Sequence, residues 1–195
     1  MQQQNNVQGR RSFAELLADR RGLLEEPRYE QQVTAIAGAL TAAFKSGGKV
    51  LWFGNGGSAA DAQHLAAEFS GRFLRARRGY PSEALSTNSS AVTAIANDFG
   101  YDRVFARQVE AHAQSGDVVV GITTSGDSPN VVLGLEEARR HQAVTVAFTG
   151  NGGGRVLPLA DFVLLGPSGC SAIIQEVHIT MGHIICDLVE QALIL

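Results

Sequence analysis

The stretch "LWFGNGGSAADAQHLAAEFSGR", residues 51–72, carries the reading on which the fold turns. Leu51, Trp52 and Phe53 form a short apolar run after Lys49-Val50, suited to a strand buried on both faces. Glycines at 54, 56 and 57 end it, and a helical pattern follows from Ser58 to Phe73. Within that helix His64 and Glu68 stand four residues apart, so they project from nearly the same face. Glycine turns receive phosphates, and a histidine–glutamate pair does proton or metal chemistry. The stretch offers both.

Outward from this unit the alternation recurs. The runs "SEALS", "DVVVGIT", "AVTVAFT" and "ADFVLLG" read as further strands. Helical patterns separate them: Ser90–Ala113 with a break near Asn97-Asp98, and Asn130–His141. Upstream, residues from about Ser12 to Glu26 and from Glu30 to Lys45 read as two helices with Pro27 between them. Downstream, "PSGCSA" leads into a long terminal helix. Strands alternating with helices define the α/β class, a doubly wound parallel sheet covered on both faces. Right-handed crossovers place the loops after each strand at one edge, where such folds bind ligands. In a five-stranded 2-1-3-4-5 order the loops after the first and third strands meet. Residues 1–10 read as a flexible polar tail and residues 11–195 as one domain.

With 195 residues the chain builds a core without disulfides or metals as staples. A net charge of −3 argues against nucleic acid or an anionic membrane as partner. Cys170 and Cys186 lack metal-ligand or redox spacing and read as reduced thiols. The opening "MQQQNNVQGRR" has no apolar signal segment. The most apolar stretch, "IIQEVHITMGHIICDLVEQALIL", is interrupted by Gln, Glu, His and Asp. A membrane span wants roughly 20 nearly uninterrupted apolar residues, so these features together point to the cytoplasm.

The first rim loop, "GNGGS" from Gly54 to Ser58, lets backbone amides approach an anion at a helix start. No Gly-Lys-Ser/Thr follows, which excludes a Walker loop. "GNGGSA" satisfies the loose dinucleotide pattern, but "STNSS" after the second strand offers no acid for a ribose. A glycine turn serving packing alone is the plain alternative. The second loop, "TTSGDS", sets the hydroxyls of Thr123, Thr124, Ser125 and Ser128 around one glycine, a neutral cradle for phosphate oxygens. Ser128, ahead of Pro129, could instead cap a helix. A cap needs one hydroxyl and this turn has four. Both loops on one edge favour a phosphorylated ligand.

Near the carboxyl end, "QEVHITMGH" places Gln175 and His183 two turns apart on roughly one side of a helix. His178 points away from His183 and reads as structural, bonded to a neighbouring subunit. Polar groups inside so apolar a helix are costly unless paired, so Gln175 and His183 face a site. A carboxylate and an imidazole at a phosphate pocket suit enolisation of a sugar phosphate. A Zn²⁺ ion could polarise the carbonyl; His and Glu are ordinary zinc ligands, Gln an unusual one.

The combination "GNGGSAADAQH…E", "IANDFGYDRVF", "GDVVVGITTSGDSPNV", "FTGNGGG" and "IQEVHITMGHIICDLVE" resembles bacterial sedoheptulose 7-phosphate isomerases (phosphoheptose isomerases), within the sugar isomerase (SIS) fold family. The similarity runs from about Pro27 to the carboxyl end. The resemblance implies a flavodoxin-like core and a homotetramer with active sites built between subunits. It also implies conversion of sedoheptulose 7-phosphate into D-glycero-D-manno-heptose 7-phosphate. By matching position, Asn55, Gly56, Gly57, Asn97, Asp98 and Gln175 contact substrate, and Thr123, Thr124, Ser125 and Ser128 hold its phosphate. His64, Glu68, Gln175 and His183 would bind one zinc per subunit, with Glu68, itself touching substrate, as base and His183 as acid or proton shuttle. Arg72 would steer the anionic substrate, while the neighbouring "RARR" run reads as a solvated face. Thr123 replaces the commoner serine, and Ala172 and Ile173 stand where relatives carry polar or charged residues.

Two rival classes share the fold. One is a non-catalytic relative that binds the bacterial replication initiator and lacks the catalytic glutamate and terminal-helix histidine. Glu68 and His183 are both present here. The other is a sugar-phosphate sensing module, and no helix-turn-helix segment or basic domain precedes residue 30.

Overall fold

A computed structural model describes residues 12–194. The expected tail, residues 1–10, lies outside the described residues. Five parallel strands, β1 (Val50–Gly54), β2 (Ser82–Ala84), β3 (Val118–Thr123), β4 (Val144–Thr149) and β5 (Phe162–Leu165), pair in the order β2-β1-β3-β4-β5. The sheet matches the 2-1-3-4-5 expectation. β1 and β3, central in the sheet, run in register from Val50 against Val118 to Gly54 against Ile122.

The two-residue period of a strand sorts its side chains between two cores. Val50, Trp52, Val118, Val120 and Ile122 face one side, with helices α2 (Arg28–Lys45), α3 (Gly57–Ser70) and α7 (Ser171–Ile194). Leu51, Phe53 and Val119 face the other, with α5 (Val104–His112) and α6 (Pro129–Arg140). Each such side chain, fully buried, stabilises the fold by about 1.5–3 kcal/mol before entropy is counted. A single change from a strand valine to a charge would break this layer.

Some boundaries differ from the pattern reading, for local reasons. The first helix, α1, is only Phe13–Ala18, opened by a capping box between Ser12 and Glu15. Turns follow it, with Gly22 at φ 76°. α2 begins two residues early, at Arg28, just after Pro27. The expected long helix from Ser90 splits into α4 (Ser89–Phe99), a 3₁₀ turn over Tyr101–Arg103, and α5. The break falls at Gly100, whose φ of 85° no helix accepts, rather than at Asn97-Asp98. A further 3₁₀ segment, Gly154–Leu159, sits between β4 and β5. α7 is long and apolar enough to cross a membrane by length and composition alone. Here it packs as a core helix, with Val177, Met181, Ile185, Cys186 and Val189 buried in the sheet-facing core.

Candidate active site

The carboxyl ends of β1 and β3 supply both loops. After β1 the chain turns at Gly56, φ 56° and ψ −120°, and among the described residues no side chain caps α3. Ser58 N–H turns back to the Asn55 carbonyl at 3.0 Å, which leaves the amides of Gly56 and Gly57 facing the rim. Gly54 admits no side chain: a Cβ there would lie 2.7 Å from the Ile122 carbonyl oxygen on β3. Asn55 is held in a reciprocal amide pair with buried Asn130 on α6, both hydrogen bonds 2.8 Å. Tyr101 adds a 3.2 Å hydrogen bond from its hydroxyl to Asn55 Oδ1. Neither Asn130 nor Tyr101 was legible as a site residue. Asparagine in a helix's first turn is ordinary, and the pairing exists only once β1 and β3 are neighbours.

In the second loop Thr123 Oγ1 lies 3.0 Å from Ser128 Oγ and 3.4 Å from Ser125 Oγ. Ser128 occupies the N-cap position of α6 but makes no capping bond; its hydroxyl turns to Thr123 instead. The cap alternative is thus rejected, and three hydroxyls share one hollow. Thr124 Oγ1 lies 3.2 Å from Ser171 Oγ, which brings the amino end of α7 to the same rim. The "FTGNGGG" loop braces this cradle from behind. Asn151 donates to the Thr124 carbonyl and accepts from the Gly169 amide, and Val156 N–H donates to Gly126 O.

α3 and α7 lie side by side and bring the acid–base residues together. His64 Nε2 lies 3.2 Å from Glu68 Oε1 and 3.2 Å from His183 Nε2. One ligand atom from each of the three falls within 4.8 Å of the others. Two Nε2 atoms facing at that distance want a proton or a cation between them. The two 3.2 Å spacings from His64 are close to the edge of a tetrahedral ion's donor set, about 3.3 Å for bonds of about 2.0–2.1 Å. Phe73 stacks on His183, centroids 5.7 Å apart and planes at 20°.

The other expected residues lie on neighbouring elements. The Gln175 carboxamide lies against Gly57, where an added Cβ would meet its atoms at 2.7 Å. The Gln175 side chain therefore sits against the opening turn of α3. Asn97 donates to Asp98 Oδ1 at the exposed end of α4. Arg72 is exposed just past the end of α3. His178 is fully buried and its Nε2 lies 3.0 Å from the Thr149 carbonyl of its own sheet. It is structural, as read, but its partner is not a neighbouring subunit. The "RARR" run is not simply a solvated face either, because the Arg77 side chain is 4% exposed and paired with Glu190.

A doubly wound sheet whose rim carries a hydroxyl cradle and a carboxylate–imidazole cluster defines a sugar-phosphate-handling SIS-domain protein. Residues 18–150 match the SIS domain family. The chain is 53% identical to the phosphoheptose isomerase of Aquifex aeolicus over 84% of its own length and 85% of that protein's. Among solved structures, the phosphoheptose isomerase of Neisseria gonorrhoeae superimposes with a TM-score of 0.78 at 38% identity, covering 91% of this chain and 99% of that one. The Francisella tularensis phosphoheptose isomerase gives 0.81 at 33% identity, over 91% and 92%. The chain belongs to the phosphoheptose isomerase family, aldose–ketose isomerases built on the SIS domain.

Proposed function

We propose that the protein converts sedoheptulose 7-phosphate into D-glycero-D-manno-heptose 7-phosphate through an enediol(ate), in the cytoplasm, with residues 11–195 as one domain. The phosphate rests on Thr123, Thr124, Ser125 and Ser128, and the free amides at Gly56 and Gly57 orient the sugar chain, with Asn55 fixed beside them by Asn130. Glu68 takes a proton from C1 of the ketose and returns it to C2. His183 moves the hydroxyl proton between O1 and O2. His64, bonded to both, keeps the two at working distance. The single observation that carries this reading is the meeting of Glu68 and His183, 115 positions apart in the sequence, through His64.

His64, Glu68 and His183, with Gln175 from α7, are the residues that would hold a zinc ion. When bound, zinc supplies Lewis-acid polarisation of the carbonyl. Gln175, turned to Gly57, also serves as a substrate contact in this reading. The active unit is a homotetramer, with Asn97, Asp98 and Arg72 completing sites shared between subunits. Purified protein should interconvert the two heptose phosphates. Glu68→Gln should lower kcat by on the order of 10²–10⁴-fold with the circular dichroism melt unchanged. A Glu68→Gln enzyme at full rate would remove the base from the mechanism.

A further inference from the structure

Among the buried ionic groups that the proposed chemistry leaves unused, one pair touches both ends of the acid–base couple. Glu190 on α7 and Arg77, in the segment after α3, are 0% and 4% exposed and meet at 2.8 Å. Glu190 also accepts the backbone amides of Phe73, Leu74 and Arg75, at 3.2, 2.9 and 2.8 Å. Arg77 donates to three carbonyls at the end of α3: Glu68 at 2.7 Å, Phe69 at 2.9 Å and Gly71 at 3.2 Å.

These contacts are specific in what they hold. The last carbonyls of a helix have no partner inside it, and the final turn frays unless something outside binds them. Glu68 lies in that final turn, because α3 ends at Ser70. Arg77 therefore ties down the backbone that carries Glu68. On the other side, Glu190 fixes the amide of Phe73, whose ring stacks on His183. Glu190 itself follows His183 by seven residues on α7, two turns along the same stripe. One ion pair thus reaches the peptide beneath Glu68 and the ring behind His183. A buried pair of this kind adds little net stability over an apolar pair of equal volume. An apolar pair would fill the space and hold neither group.

We infer that Arg77 and Glu190 are positioning residues for the isomerisation, a clamp that fixes Glu68 against His183. The inference rests on the acid–base assignment made above. Arg77→Lys keeps a charge opposite Glu190 but loses the planar fork that spans the α3 carbonyls. Rates are taken per mole of folded enzyme, well below the melting midpoint. The clamp predicts a kcat lower by on the order of tenfold to a hundredfold with KM within about twofold, since the phosphate cradle is untouched. Wild-type kcat, or a raised KM at unchanged kcat, overturns it. If Arg77→Lys does not fold, Glu190→Gln is judged by the same two criteria. If neither folds, the pair is a folding element and the inference fails. Glu68→Gln is measured alongside: activity there sinks the acid–base assignment itself, whatever Arg77 does.

Discussion

His178 shows what one residue's surroundings do to its chemistry. Its ring is buried against Phe148, Nε2 is bonded to the Thr149 carbonyl, and Nδ1 has no partner among the described residues. Burial, only partly offset by that bond, lowers its pKa from 6.5 to about 4. The folded chain therefore refuses a proton that the unfolded chain accepts between these values. Stability from this group is complete above pH 6.5 and is lost as pH falls toward 4. By pH 4.5 the loss should reach about 2–3 kcal/mol. Urea unfolding at pH 7 and 4.5 measures it, and His178→Gln should remove that share of the pH dependence. An equal slope in the variant would assign the acid sensitivity elsewhere. The same residue marks the reach of sequence reading. A polar group in an apolar helix needs a partner, and that much was legible. Which partner depends on packing: Thr149 for His178, Arg77 for Glu190. Glu190 carried the same signal as His183, but pairs with a basic residue in a run that looks solvated by composition.

At the scale of elements, the glycines show how loops with no shared sequence neighbourhood constrain each other. Gly126, in the phosphate loop, has φ 77°, and a Cβ there would overlap the Gly153 carbonyl oxygen. Gly154 meets the same turn from the other side, with Gly126 and Asp127 atoms about it. The two loops interlock with no room between them. Gly126→Ala combines positive-φ strain, about 1–3 kcal/mol, with a backbone collision that displaces Ser125 from Thr123. The expected outcome is a KM raised on the order of tenfold, with kcat changed less, in steady-state assays on the sugar phosphate. An unaltered KM would show that the cradle does not depend on this contact. Strand and helix identity was readable here because period and punctuation agree. Element ends were less so: Gly100, not the polar Asn97-Asp98 pair, stops α4, since backbone conformation decides where a helix ends.

Across the whole molecule, the sheet order was legible because parallel strands with right-handed crossovers leave few topologies. Completeness of the site was not, because one chain's pattern does not describe a second copy. Several apolar side chains stay exposed, among them Phe13, Leu24, Phe99, Tyr101 and Ile184, and α4 buries no residue despite its apolar positions. α4 also carries Asn97 and Asp98, bonded to each other, while His64 remains half exposed. The proposed tetramer, if it covers these faces and seats α4 of one protomer over the cluster of another, would account for both facts. Mixing then discriminates shared from self-contained sites. Glu68→Gln and Asp98→Ala are each expected to be nearly inactive alone. Co-assembled in equal amounts, a shared arrangement gives roughly a quarter of the sites an intact Glu68 from one subunit and an intact Asp98 from the next. Activity should recover toward that fraction, with mass by light scattering confirming a tetramer. If every site is built within one chain, each carries one lesion and no activity returns.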